Sequence, residues 1–289
     1  MKLLHISDLH FHRDLQNNIA ADELLGTISQ RYPKHTLIIT GDISDDGTPW
    51  QFENAFRALE SFVGRVFIAP GNHDFGSAGN FYSQERALRF DQMLSNPLRQ
   101  GGTFTGDTTP VVNFVRDGND QVMLIALDTN LETEHPFDFA CGELGVSQLA
   151  ALNTILCNPA NATYTKVLFF HHHPFIHNDP FMELKDAEEL MRTIYGRVDV
   201  VLFGHKHVVG EWHGLCRTKL ILASDDSPDK DWAKEIDIQG KTITVTPVWI
   251  RPGASRPSAP ASARASKASA SIKSGKEREV NVRDAAARP

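Results

Sequence analysis

Seven short segments are apolar at almost every position: Leu3–Ser7, Thr36–Thr40, Val66–Ala69, Val122–Leu127, Lys166–Phe170, Val198–Phe203 and Lys219–Ala223. They are rich in β-branched residues. Apolar runs of this length, without alternation, predict strands buried on both faces. A helical period separates them over Leu15–Ser29, Pro49–Phe62, Ser147–Leu156 and Asp186–Tyr195, as with Phe52, Phe56, Leu59 and Phe62. A weaker helix is expected over Ser83–Leu94, and beyond Lys219 strand follows strand up to Ile250. The pattern predicts an α/β body whose sheets are covered by helices.

The pattern stops at Arg251. The large apolar side chains of segment 251–289 are Ile272, Val280 and Val282, set among Ala, Ser and Pro. Three such groups cannot offset an ordering entropy of ~1–2 kcal/mol per residue. We therefore expect a folded body over 1–250 and a disordered, basic tail over 251–289. Charge divides at the same point. The tail holds nine Lys/Arg and three Asp/Glu, the body 20 and 33. An acidic body argues against a nucleic-acid polymer as substrate, because proteins that bind one show a basic face. No apolar run approaches the ~20 residues of a membrane span. The three cysteines (Cys141, Cys157, Cys216) form no C-x-x-C pair, and polar residues interrupt the first positions before a signal core could form. These features fit a reducing cytoplasm.

The chemistry gathers where strands end. Ser7-Asp8-Leu9-His10 follows the first strand, Gly41-Asp42 the second and Pro70-Gly71-Asn72-His73-Asp74 the third. His171-His172-His173-Pro174 and Gly204-His205-Lys206-His207 follow two later ones. The carboxyl ends of strands in open α/β sheets form the ligand crevice, so five strands deliver Asp, His and Asn to one edge. Carboxylate, amide and imidazole donors suit divalent or trivalent first-row ions. Two such ions ~3.5–4 Å apart clamp an in-line displacement at phosphorus, with a bridging hydroxide as nucleophile. No serine or cysteine nucleophile is then required, and the chain has no G-x-S-x-G elbow. In D-x-H and H-x-H the two side chains would point the same way from extended backbone.

In this order, D-x-H, G-D, G-N-H-D, H-H-P and G-H-x-H resemble the calcineurin-like metallophosphoesterase superfamily, over Asp8 to His207. The resemblance implies a four-layer α/β/β/α sandwich with two mixed sheets, the metallo-dependent phosphatase fold, and a dinuclear Mn, Fe or Zn centre. By motif position, Asp8, His10 and His207 would hold one ion, and Asn72, His172 and His205 the other, with Asp42 bridging. His172 is preferred to His171 because the family's ligand lies two residues before the proline. His171 then reads as a strand-end residue and His173 as a substrate-side one. His73 would face the substrate and protonate the leaving oxygen, and Asp74 would orient it through its ring nitrogen. Other polar residues read more plainly: His5 as a core histidine, His12 as a phosphate contact or a surface residue, His177 and His213 as structural or exposed, and Asp128 as lining the crevice or capping.

Within the superfamily, the short chain and the H-H-H-P … G-H-K-H interval resemble the bacterial class III cyclic-nucleotide phosphodiesterase and glycerophosphodiesterase branch. That implies hydrolysis of a small phosphodiester, with a 3′,5′-cyclic nucleotide as one candidate. A phosphomonoesterase could use the same centre. A DNA exonuclease fits the acidic body poorly, and a non-catalytic scaffold fits poorly with the retention of every ligand and of His73. Dimers are common in that branch, so a homodimer is an open expectation.

Overall fold

The computed structural model describes residues 1–250 apart from 78, 107–109, 132–139, 177–178, 180, 226 and 231. The segment 251–289 and His177 therefore lie outside the described residues.

The elements run β1 (Lys2–Ile6), α1 (Ile19–Arg31), β2 (Thr36–Thr40), α2 (Pro49–Leu59), β3 (Val66–Ala69), α3 (Asn72–Phe75), β4 (Gly76–Ser77), β5 (Phe81–Tyr82) and α4 (Gln84–Phe90). They continue with β6 (Val111–Asp117), β7 (Asp120–Ala126), α5 (Gly145–Cys157), β8 (Thr165–Phe169), α6 (Ala187–Ile194), β9 (Val200–Phe203), β10 (Gly210–Trp212), β11 (Leu220–Ala223), α7 (Ser227–Lys230), β12 (Trp232–Gln239) and β13 (Thr242–Trp249). One mixed sheet has the order β13-β12-β1-β2-β3, the other β10-β11-β9-β8-β7-β6. The central pairs β1–β2, β2–β3, β7–β8, β8–β9 and β9–β11 are parallel, as buried sheets with helical crossovers require.

Side-chain alternation divides the second sheet between two cores. Val122, Leu124, Ala126, Val167, Phe169, Val200 and Leu202 join the large apolar cluster that holds the first sheet and helices α1 and α2. Their neighbours Met123, Ile125, Leu168, Phe170, Val201 and Phe203 join Leu152 and Leu156 of α5 and Leu190 and Ile194 of α6. Helices, sheet, sheet and helices thus form the expected four layers. Strand β6 has no counterpart among the expected strands. It is an edge strand with mixed burial, and Asn113, Arg116 and Asp117 interrupt its apolar character. The helix expected over Ser83–Leu94 is α4, continued by a wider turn over Asp91–Ser95.

Candidate metal centre

The loops after β1 and β2 keep pairing beyond the strands. Asp8, His10 and Phe11 donate their backbone N–H groups to the carbonyls of Gly41, Asp42 and Ile43 at 3.1, 2.9 and 2.8 Å. This ladder brings Asp8 and His10 beside Asp42. Both D-x-H and H-x-H depart from the extended backbone expected for them. Asp8, His10, Asp42, His205 and His207 all have positive φ, between 45° and 75°. Left-handed backbone at a non-glycine residue costs of order 1–3 kcal/mol and persists where surrounding structure enforces it. Strain is therefore concentrated on five of the residues expected at the centre.

Two groups of donors meet around Asp42. In the first, Asp8, His10 and His207 have ligand-type atoms within 4.8 Å of one another. Asp8 Oδ1 lies 3.3 Å from His207 Nε2, and His10 Nε2 lies 3.9 Å from Asp42 Oδ2. In the second, His171 Nε2 lies 3.2 Å from Asp42 Oδ2, 3.0 Å from Asn72 Oδ1 and 3.1 Å from His205 Nδ1. The amide of Asn72 is aimed by its Nδ2, which donates to the Gly79 carbonyl at 2.8 Å. Asp42 Oδ1 accepts the backbone N–H of His73 at 3.0 Å, leaving Oδ2 toward both groups.

His171 thus stands with Asn72, Asp42 and His205, and the His172 ring also lies beside His205, with centroids 4.6 Å apart. The parity of β8 is the reason. Val167 and Phe169 face the first sheet, and His171 continues that row into the cleft between the sheets. His172 Nδ1 lies 2.7 Å from Thr129 Oγ1, which leaves its Nε2 buried without a hydrogen-bond partner. His173 departs from the substrate-side expectation: its ring packs against Phe203 and Trp212, with centroids 4.7 and 6.1 Å away.

The donor set fits cations. The Nδ1–H of His171 donates to the Thr40 carbonyl at 2.8 Å, so a neutral ring turns its Nε2 lone pair onto two oxygens. His10 Nε2 is buried without a hydrogen-bond partner, as are the Nε2 atoms of His172 and His205. Burial opposes a charged His171 ring, but Asp42 and then Asp8 outweigh it and raise the group to about 9. Burial likewise opposes ionised Asp42, and the facing His171 reverses the effect and holds the carboxylate well below its usual range. Burial, followed by His171, lowers His205 to about 3. Asp8, Asp42, His171 and His205 are buried, whereas His10 and His73 are half-buried and His207 is exposed, so the centre opens on their side.

Residues 1–209 match the calcineurin-like phosphoesterase family. The chain belongs to this family. It is 27% identical over 220 residues to a probable cyclic nucleotide phosphodiesterase of Coxiella burnetii, covering 72% of this chain and 76% of that protein. It is 29% identical over 177 residues to a 3′,5′-cyclic-nucleotide phosphodiesterase of a Nostoc species, covering 59% and 55%. A dimetal phosphatase from Danio rerio shares the fold with a TM-score of 0.58 at 14% identity, covering 87% of this chain and 99% of that one.

In this calcineurin-like phosphoesterase, Asp74 does not touch the His73 ring in the way expected. Its carboxylate accepts from the backbone N–H groups of Ile43, Ser44 and Gly71 at 3.2, 2.8 and 3.0 Å, and from Ser44 Oγ at 2.9 Å. It ties the Asp42 loop to the Asn72 loop. Burial, then Asp42, raises Asp74 to about 6. His73 Nδ1 instead donates to the backbone carbonyl of Asp45 at 2.8 Å. The Asp45 carboxylate also lies 3.3 Å from His12 and 3.9 Å from His10. Asp45 and the Thr40 carbonyl were not singled out from sequence. Asp45 sits in a Ser-Asp-Asp-Gly run that reads as an ordinary turn, and a carbonyl contact leaves no trace in residue type. Gly41 has its own reason: φ is 91°, and a Cβ there would come within 2.5 Å of His171 Nδ1.

Three readings outside the centre also meet the structure. His5 is a core histidine, with Nε2 3.0 Å from Thr40 Oγ1. His213 is exposed beside Glu211 at 2.9 Å. Asp128 accepts the backbone and side-chain N–H groups of Asn130, each at 2.8 Å, which braces its own loop.

Proposed function

We propose that this phosphoesterase is a metal-dependent phosphodiesterase acting on a small diester of the cyclic-nucleotide class. The observation carrying the reading is Asp42 Oδ2, faced by His171 at 3.2 Å and His10 at 3.9 Å, one from each donor group. The names of the two bacterial relatives support the substrate class. Asp8, His10 and His207 would hold one ion of the Mn, Fe or Zn type, and Asn72, His171 and His205 a second, with Asp42 shared. Such ions supply Lewis-acid charge and a water acidified toward neutral pH. The rest falls to the protein. Thr40 and Gly79 aim His171 and Asn72 through their carbonyls. His73 Nδ1 is committed to Asp45, so Nε2 of the protonated ring is the atom that would deliver a proton to the leaving oxygen. The open side formed by His10, His73 and His207 admits the substrate. We extend the reading to a cytoplasmic enzyme; its three cysteines are free.

The test is hydrolysis of bis-p-nitrophenyl phosphate, p-nitrophenyl phosphate and 3′,5′-cyclic AMP by protein loaded with Mn²⁺. The diesters should be cleaved faster than the monoester, and a chelator should abolish both reactions. Faster monoester cleavage would overturn the diesterase reading. His73→Ala should keep its metal and lose ~10²-fold in turnover; undiminished turnover would remove its assigned role.

A further inference from the structure

The acidic body carries a cationic groove at the opposite ends of the strands. A cavity of about 440 Å³ is lined by Lys166, Arg197, Arg217, Lys219 and Lys241, with Asp199 as the acidic lining residue. Lys166 is the second residue of β8 and Asp199 precedes β9, whereas His171 and His205 follow the other ends of these strands. Five residues of strand separate Lys166 from His171, roughly 16 Å at the usual rise.

The single carboxylate is already committed. Asp199 Oδ1 pairs with Lys219 Nζ at 2.9 Å, and Oδ2 accepts the backbone N–H of Lys166 at 2.9 Å. Among the described residues, Lys166, Arg197, Arg217 and Lys241 form no ion pair. Arg197 donates to Asn153 Oδ1 at 2.8 Å and to the Thr193 carbonyl. The Arg217 guanidinium lies over the Tyr195 ring at 5.2 Å. Lys166 is only 9% exposed, and its ammonium reaches the Tyr164 carbonyl at 3.5 Å, a long contact. Gathering like charges is unfavourable, and more so for buried Lys166 than for exposed Arg217, Lys219 and Lys241. The chain has acidic residues in excess over 1–250 yet lines this groove with one. Several cations around one cavity match an anion bearing several charges. Half-buried Tyr164, packed on Phe114 with centroids 5.0 Å apart, adds an aromatic wall.

We propose that this groove binds a small polyanion carrying two or more linked phosphates, separately from the metal centre. A nucleoside triphosphate and an inorganic polyphosphate share this chemistry. The experiment is calorimetric titration of the metal-loaded full chain with three probes: the β,γ-imido analogue of ATP, tripolyphosphate and adenosine. Both phosphate probes should bind, more weakly as salt rises, and adenosine should not. Tighter binding of the nucleotide than of tripolyphosphate would identify a nucleotide as the source; equal binding would identify the phosphate chain alone. The double variant Arg217→Glu/Lys241→Glu should bind both at least tenfold more weakly while cleaving bis-p-nitrophenyl phosphate at the wild-type rate, and Arg217→Gln/Lys241→Gln should show a smaller loss. Asp42→Asn should still bind the ATP analogue. Absence of binding at millimolar probe, binding that survives charge reversal, or binding lost in Asp42→Asn would each overturn the inference.

Discussion

His171 Nε2 lies 3.2 Å from Asp42 Oδ2, with the opposite ring nitrogen held by the Thr40 carbonyl at 2.8 Å. A lone pair and a carboxylate that close together require a positive charge between them. In the protein alone a proton meets this need, which is why His171 is raised to about 9 against the cost of its burial. A metal ion meets it equally well and would displace that proton.

The choice between adjacent histidines is directly testable. His171→Ala should lose bound metal and at least ~10²-fold in hydrolysis, the upper end of what loss of a group that merely supports a ligand costs. His172→Ala removes a ring on Thr129 and should retain metal with a smaller loss of activity. Elemental analysis of both purified variants decides the matter; metal loss in His172→Ala alone would restore the assignment by proline spacing.

Asp74 should behave as a brace. Asp74→Ala leaves three buried backbone N–H groups and the Ser44 hydroxyl without their acceptor. We expect a loss of about 2–4 kcal/mol in urea unfolding, together with reduced metal content. If the variant instead kept its stability and metal and lost only turnover, Asp74 would be acting on His73.

Acid should unfold the protein partly through His5. Burial lowers this histidine to about 3, with Asp8 opposing and Lys234 assisting, and its Nδ1 has no partner. The folded value lies below the unfolded one, so the unfolded chain binds the extra proton between about pH 6.5 and 3. Stability is therefore full above pH 6.5 and falls as pH drops, by up to roughly 1.4 kcal/mol per pH unit. His5→Gln should show a shallower decline in urea midpoint between pH 6.5 and 4.5. Parallel curves for the two proteins would exclude His5 as a source of acid lability.

The sequence by itself determined the buried parallel strands and the residues that end them, but not the edge strand β6. Buried parallel strands such as β2, β8 and β9 need continuous apolar runs, so they stand out along the chain. Asp8, Asp42, Asn72 and His205 stand out because polar groups directly after such runs have few structural reasons to be there. The same continuity hid which face of each strand looks inward. Phe169 and Phe170 are both fully buried, one against the first sheet and the other against the outer helices. Nothing in their residue types says which parity His171 inherits, so only the packing of sheet on sheet sets its ring beside Asp42 and Asn72. Tertiary structure also decided what Asp74 and Asp45 do. Their contacts are to backbone groups brought in by neighbouring loops, and every residue type carries those groups alike.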